Sequence, residues 1–203
     1  MRIPKVVGII SWLLTCLYFV IEPLFIWTST VPYSYLNQAM SDLGVTACGE
    51  NTYPSVSFEI CSPYAEWMNI LFIINGITFI IGVLYLAQYL EINWRNTLAT
   101  LFILLIGIGN IFSGIYPANI DLFWHSIFVV IGMITIFPGM WMYGKSLARG
   151  KYWTYFCCVT LFVVLLLILL GIFIYMPLGL LQRLFYFILF IWGFILSIKL
   201  SKA

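Results

Sequence analysis

Residues 6–27 read VVGIISWLLTCLYFVIEPLFIW, and the only formal charge among them is Glu22. A helix needs about 20 predominantly apolar residues to cross the hydrocarbon core of a bilayer, and this run is long enough. It follows Arg2 and Lys5, as the apolar core of a signal peptide would. Such cores are about 7–15 residues long and end in a small-x-small cleavage site; no such site follows here. The run is therefore expected to be an uncleaved first membrane helix. Five more segments meet the same criterion: Trp67–Tyr89, Thr97–Tyr116, Phe123–Tyr143, Trp153–Tyr175 and Leu184–Leu200. The last is short and could begin near Leu180. A backbone inside lipid must satisfy its own hydrogen bonds. These runs are apolar throughout, whereas barrel strands alternate, so helices are expected. The fold class is all-α: one integral membrane bundle of six transmembrane helices over residues 1–203.

Composition leaves little room for another class. The chain is 64% hydrophobic and 8% charged, against about 25% charged residues in soluble domains. Its mean hydropathy is +1.08. The net charge of +2 and the scattered basic residues give no footprint for nucleic acid.

Lys and Arg set orientation. With the N-terminus inside, Arg2, Lys5, Arg95, Lys145, Arg149, Lys151, Lys199 and Lys202 all lie on the cytoplasmic side, and only Arg183 lies outside. Both termini are therefore expected in the cytoplasm. Trp27, Trp67 and Trp124 then fall at outer helix ends and Trp94, Trp141 and Trp153 at inner ends, where amphipathic indoles belong. Trp12 and Trp192 fit neither belt and are expected between helices.

The connections are short except for the outer segment Thr28–Glu66 (28–66), which has no Lys or Arg. Long loops are more often functional than short ones. Within it, Tyr33–Met40 is expected to form a short interfacial helix before a turn at Ser41-Asp42-Leu43-Gly44. Cys48 and Cys61 both lie in this loop, facing an oxidising space, and a disulfide between them is expected. Closing this loop of 14 residues is worth about 3 kcal/mol in the chain-entropy model. No histidine lies in the loop, which argues against a metal there. Cys16, Cys157 and Cys158 read as small apolar residues within helices. Pro63, Pro117 and Pro177 each precede an even-numbered helix. Either proline simply suits a helix start, or three hairpins are related.

The remaining polar groups gather in one half of the membrane. Glu22 lies near the outer end of the first span, Glu66 and Asn69 open the second, and Asn110 and Ser113 lie in the outer half of the third. Asp121 and His125 open the fourth, and Gln182 and Arg183 the sixth. Ionisable groups inside a membrane are costly and face the bundle interior. Glu22 needs a partner, and Arg183 is the one base on its side; otherwise Glu22 snorkels or carries a proton. Asp121 and His125 are four apart, on one helix face. They form either an acid–base unit or an N-cap and a separate histidine that bonds a neighbouring helix. Asp42 is either a turn residue or a loop carboxylate folded onto the pocket. Arg183 holds Glu22 or Asp121, or meets a lipid phosphate. Gly109 and Ser113 form a small-xxx-small pair suited to close helix packing.

His125 is the only histidine, which excludes a multi-histidine zinc site and a bis-histidine haem within one chain. No phosphate-binding loop, His-Glu-x-x-His or Gly-x-Ser-x-Gly occurs. No cofactor and no metal are expected.

Ser41-Asp42-Leu43-Gly44, Ala47-Cys48-Gly49, Cys61-Ser62-Pro63 and Met68-Asn69 resemble the first outer loop of the domain-of-unknown-function family numbered 998, a group of small prokaryotic membrane proteins. Gly114-Ile115-Tyr116-Pro117 followed by His125, and Gly179 with Gln182-Arg183, resemble its later pattern. Where members often carry Glu-Arg, this chain has Gln182-Arg183, which leaves no carboxylate at 182. The resemblance spans nearly the whole chain and implies a six-helix fold in a prokaryotic cell membrane. It implies no activity.

Three functions fit these residues. The first is a lipid-directed enzyme or lipid binder with a polar pocket open to the outer leaflet, its partners membrane lipids. His125, Asp121 and Asp42 would be catalytic, and Glu22, Glu66, Asn69, Asn110, Ser113, Gln182 and Arg183 would bind the ligand. The Cys48–Cys61 bridge would hold a lid. The second is a small transporter subunit binding protons or cations at Glu22, Asp121 and His125; the apolar inner half of the bundle leaves it no through-path. The third is a structural or accessory membrane protein whose polar cluster only joins helices.

Overall fold

The computed structural model describes residues 2–54, 56, 58–171 and 173–202. Six helices are long and apolar enough to cross a membrane: α1 (Lys5–Trp27), α2 (Ala65–Ala87), α3 (Trp94–Ile115), α4 (Leu122–Ser146), α5 (Lys151–Leu170) and α6 (Leu178–Ser201). The protein is a multi-pass membrane protein. A 3-10 turn, Met40–Gly44, lies in the long connection between α1 and α2.

The helices form a ring in chain order that closes where α6 meets α1, and α2 and α6 also touch across it. Their faces are sorted for lipid. In α1, Ser11, Trp12, Thr15, Tyr18 and Glu22 are buried at helical spacing, while Val6, Leu14, Val20 and Leu24 are exposed. Apolar side chains face outward, and small, aromatic and polar ones face inward. Lipid tails are as apolar as leucine, so helix association depends on close packing and interhelical hydrogen bonds.

Close packing is visible at Trp12 and Trp192. Both are fully buried, with ring centroids 6.1 Å apart, edge to face. Trp12 fits because α2 and α6 present glycine to it: a Cβ on Gly193 would lie 2.1 Å from the Trp12 ring. The Trp192 indole donates to Thr154 Oγ1 at 3.1 Å, which brings in α5. The Gly109–Ser113 pair likewise marks the α3–α4 contact, where a Cβ on Gly109 would lie 2.8 Å from the Val129 backbone nitrogen.

Helix ends differ from the sequence reading in an instructive way. α6 starts at Leu178, six residues before Leu184 and close to the alternative start near Leu180, with Pro177 as its N-cap residue. Hydropathy passes over its first turn because Gln182 and Arg183 interrupt the apolar run; both are hydrogen-bonded inside the bundle. α5 ends at Leu170 rather than Tyr175, with Gly171 as its C-cap. Pro177 caps α6 directly, whereas Pro117 lies five residues before Leu122, so the three prolines are not at equivalent positions.

The long connection folds into a cap over one end of the bundle, here called the loop end. The expected interfacial helix over 33–40 is not formed. Asn37 and Gln38 N–H groups turn back onto the Ser34 carbonyl, and the helical turn falls at Met40–Gly44. Asp42 Oδ2 caps that turn by accepting from the Ala39 N–H at 2.9 Å. Cys48 and Cys61 form the disulfide beside a two-way Gly49–Ile60 bridge. Val45, Val56, Ile60 and Ala118 pack into a small apolar core under the cap. Side chains rivet it down: Asn69 Nδ2 donates to the Gly44 carbonyl at 2.9 Å and Ser62 Oγ to the Leu43 carbonyl at 2.8 Å. Thr46 of the cap pairs in both directions with Asn119 of the α3–α4 connection, its N–H donating to Asn119 Oδ1 and its Oγ1 accepting from Asn119 Nδ2.

Candidate functional site

Two polar clusters occupy the loop-end half of the bundle. The first is an ion pair. Arg183 Nη2 lies 2.8 Å from Glu22 Oε1, with both side chains buried. Arg183 Nη2 also donates to the Tyr33 hydroxyl at 2.6 Å, and Nη1 donates to the carbonyls of Gln38, Gly179 and Tyr35 at 2.8–3.1 Å. The guanidinium lies 4.3 Å from the Tyr35 ring centroid. A planar fork can meet several acceptors at once, and here it joins α1, α6 and the cap. Tyr33 in turn donates to the Ala39 carbonyl at 2.8 Å.

The Asp42 carboxylate lies close by in the cap. Its Oδ1 accepts from the Tyr53 hydroxyl at 2.5 Å. Burial pushes its pKa from 3.8 up to about 6, against the opposing pull of Tyr53, the Ala39 N–H and Arg183. Burial and the Asp42 charge together push the Tyr53 hydroxyl up as well.

The second cluster lines a cavity of about 320 Å³ enclosed by α1, α2, α3, α4, α6 and the cap. Phe72, Val129, Met133 and Phe190 give it apolar walls, and Met40, Ser41 and Tyr53 roof it from the cap. Asn75, Asn110, Ser113, His125, Ser126 and Gln182 supply polar groups. Val130 also lines it and is 50% exposed on the flank of α4, so the cavity reaches the side of the bundle. α4 and α6 are joined there chiefly through α5.

The polar groups are held in defined orientations. Asn75 Nδ2 donates to the Thr15 carbonyl at 3.0 Å, which leaves Asn75 Oδ1 to accept from Asn110 Nδ2 at 2.9 Å. Ser113 donates to the His125 carbonyl at 2.9 Å. His125 Nδ1 lies 2.8 Å from the Tyr116 carbonyl, which can only accept, so Nδ1 carries a proton. Gln182 Oε1 accepts from the Met40 N–H at 3.0 Å, tying α6 to the roof.

The residues singled out from sequence thus separate. Asn110, Ser113, His125 and Gln182 line the cavity together. Glu22 and Arg183 pair with each other beside the cap, and Asn69 holds the cap. Asp42 lies within the cap, bonded to it. Glu66 is exposed at the start of α2. Asp121 caps α4, accepting from the Trp124 N–H at 3.1 Å, while the His125 ring bonds Tyr116. Of the two arrangements open to Asp121 and His125, the N-cap with a separate histidine is formed and the acid–base unit is not; a backbone carbonyl at the end of α3 orients the imidazole. Among the described residues no three His, Cys, Asp or Glu side chains converge as a metal site.

Sequence reasoning missed Asn75, Tyr18, Tyr53 and Ser126 as lining residues. Asn75 carried a readable signal, because an amide within the apolar run Ile73-Ile74-Asn75-Gly76 requires an interior partner. Tyr53 carried none; it reaches the cavity only because the disulfide-closed loop folds back.

The family model described as Protein of unknown function (DUF998) matches residues 13–199. No curated protein and no solved structure matches the chain.

Proposed function

The chain belongs to that family of proteins of unknown function, and from that premise we propose that it is a lipid-binding membrane protein of the prokaryotic cell membrane. One observation carries the reading: a largely apolar cavity with a few convergent polar groups, reaching the flank of the bundle at Val130. Ligand sites have this composition, about 300–1,000 Å³ of apolar wall with a few placed polar groups. An acyl or prenyl chain would enter from the bilayer past Val130 on the flank of α4, its polar end held under the cap.

The loop end is read as extracytoplasmic. All Lys and Arg except Arg183 lie toward the opposite end or in its connections, as the positive-inside rule requires for the cytoplasmic side. The disulfide suits an oxidising compartment. The cavity therefore faces the outer leaflet.

Binding is favoured over catalysis. Among the described residues, no nucleophile is hydrogen-bonded to the His125 ring and no carboxylate orients it. Lipid extraction and mass spectrometry of the purified protein test the proposal. Wild type is expected to retain a lipid that Val130→Trp, which plugs the mouth, loses. Val163→Trp, on the exposed flank of α5, is expected to retain it. Equal lipid content in all three proteins would remove the proposal.

A further inference from the structure

We infer that the cavity selects a lipid with an uncharged head bearing a hydroxyl, and rejects lipids with a phosphate; the inference rests on the lipid-binding reading above. The first argument is electrostatic. Among the described residues, no Asp, Glu, Lys or Arg lines the cavity. Arg183 is the one base at the loop end of the bundle; it is not among the lining residues, and both of its Nη groups are already taken by Glu22, Tyr33 and three carbonyls. A phosphate placed in the cavity would be a buried charge with no counter-ion, which is strongly unfavourable.

The second argument concerns hydrogen-bond polarity. The Thr15 carbonyl fixes the orientation of Asn75, which fixes Asn110 and leaves Asn110 Oδ1 as an acceptor. Ser113 has committed its proton to the His125 carbonyl, leaving oxygen lone pairs. His125 has committed Nδ1–H to Tyr116, so the neutral ring offers Nε2 as an acceptor. Three groups on adjoining turns of α3 and α4 therefore ask the ligand for a donor. Gln182 keeps its Nε2 protons, since its Oε1 is engaged by Met40. A hydroxyl gives one donor and accepts in return, matching this set; a phosphate would set its lone pairs against those of Asn110, Ser113 and His125. The volume holds the head and the first part of one chain, with the remainder leaving past Val130.

The chemistry is shared by acylglycerols, long-chain prenols and quinols. The test uses three photo-crosslinkable probes with one identical acyl chain: the alcohol, its methyl ether and its phosphate monoester. Each is incorporated in nanodiscs with wild type, Val130→Trp or His125→Phe. The expected result is at least tenfold stronger labelling by the alcohol than by the phosphate, with the ether well below the alcohol. In His125→Phe, labelling by the alcohol falls to the level of the ether. Equal or stronger labelling by the phosphate overturns the head-group inference while leaving lipid binding intact. Labelling unchanged by Val130→Trp for every probe overturns lipid binding itself. Unlabelled diacylglycerol, a polyprenol and a quinol then identify the source by displacing the alcohol probe. Displacement by phosphatidic acid alone, or by none of them, also overturns the inference.

Discussion

Arg183 and Glu22 face each other at 2.8 Å with side-chain exposures of 2% and 1%. The pair joins the first and sixth helices, and through its spare donors Arg183 also grips the cap. Charges this deep are tolerated only when paired and hydrogen-bonded.

Arg183→Gln should therefore be strongly destabilising, by about 3–5 kcal/mol, because it leaves Glu22 buried without its partner. Adding Glu22→Gln should restore part of the loss, since the orphaned charge is then gone. Thermal melting in detergent measures both. A single variant that melts with the wild type would show that the pair holds nothing together.

Asp42 should make stability depend on pH. Its carboxyl titrates near 6 when folded, against 3.8 when unfolded, chiefly because it is buried. The folded state holds the proton more tightly, so the contribution is fully present below 3.8 and is lost as pH rises through about 6. A two-unit shift corresponds to about 3 kcal/mol. The melting temperature should fall across that window, and Asp42→Asn should flatten the slope. An identical slope in the variant would assign the titration elsewhere.

Gly193→Ala should be disruptive out of proportion to one methyl group. Its Cβ would sit 2.1 Å from Trp12, and overpacking of this kind costs about 1–3 kcal/mol or more. Trp12→Phe in the same protein should recover stability by opening the slot. No recovery in the melting temperature would mean that the glycine serves something other than the indole.

Glu66→Cys, with Cys16, Cys157 and Cys158 replaced by alanine, should react with an impermeant maleimide applied to intact cells. Lys145→Cys in the same background should react only after lysis. The reverse pattern would invert the proposed orientation and place the cavity in the cytoplasmic leaflet.

Much of the site was legible from residue type alone. Ser113, Asn110, His125 and Gln182 stood out as polar interruptions of apolar runs, and all of them line the cavity. The Glu22–Arg183 bridge followed from there being one carboxylate in the first span and one base on its side. The Asp121–His125 spacing left an acid–base unit and an N-cap with a separate histidine both open, because i,i+4 geometry allows a contact without requiring it. The backbone offered nearer partners: the Trp124 N–H for the acid and the Tyr116 carbonyl for the ring.

Residue order alone is enough for the solvent, the six spans, the long connection and its cysteine pair. These depend on transfer free energy summed over about 20 residues and on cysteine placement, neither of which needs tertiary coordinates. The packing of the helices against one another and against the cap set which polar groups meet. It placed Arg183 against the cap, Tyr53 over the cavity and Asn75 between Thr15 and Asn110. Those partnerships join residues far apart in the chain, and they turn on helix rotation and on glycine contacts of a few ångströms, which hydropathy averages away.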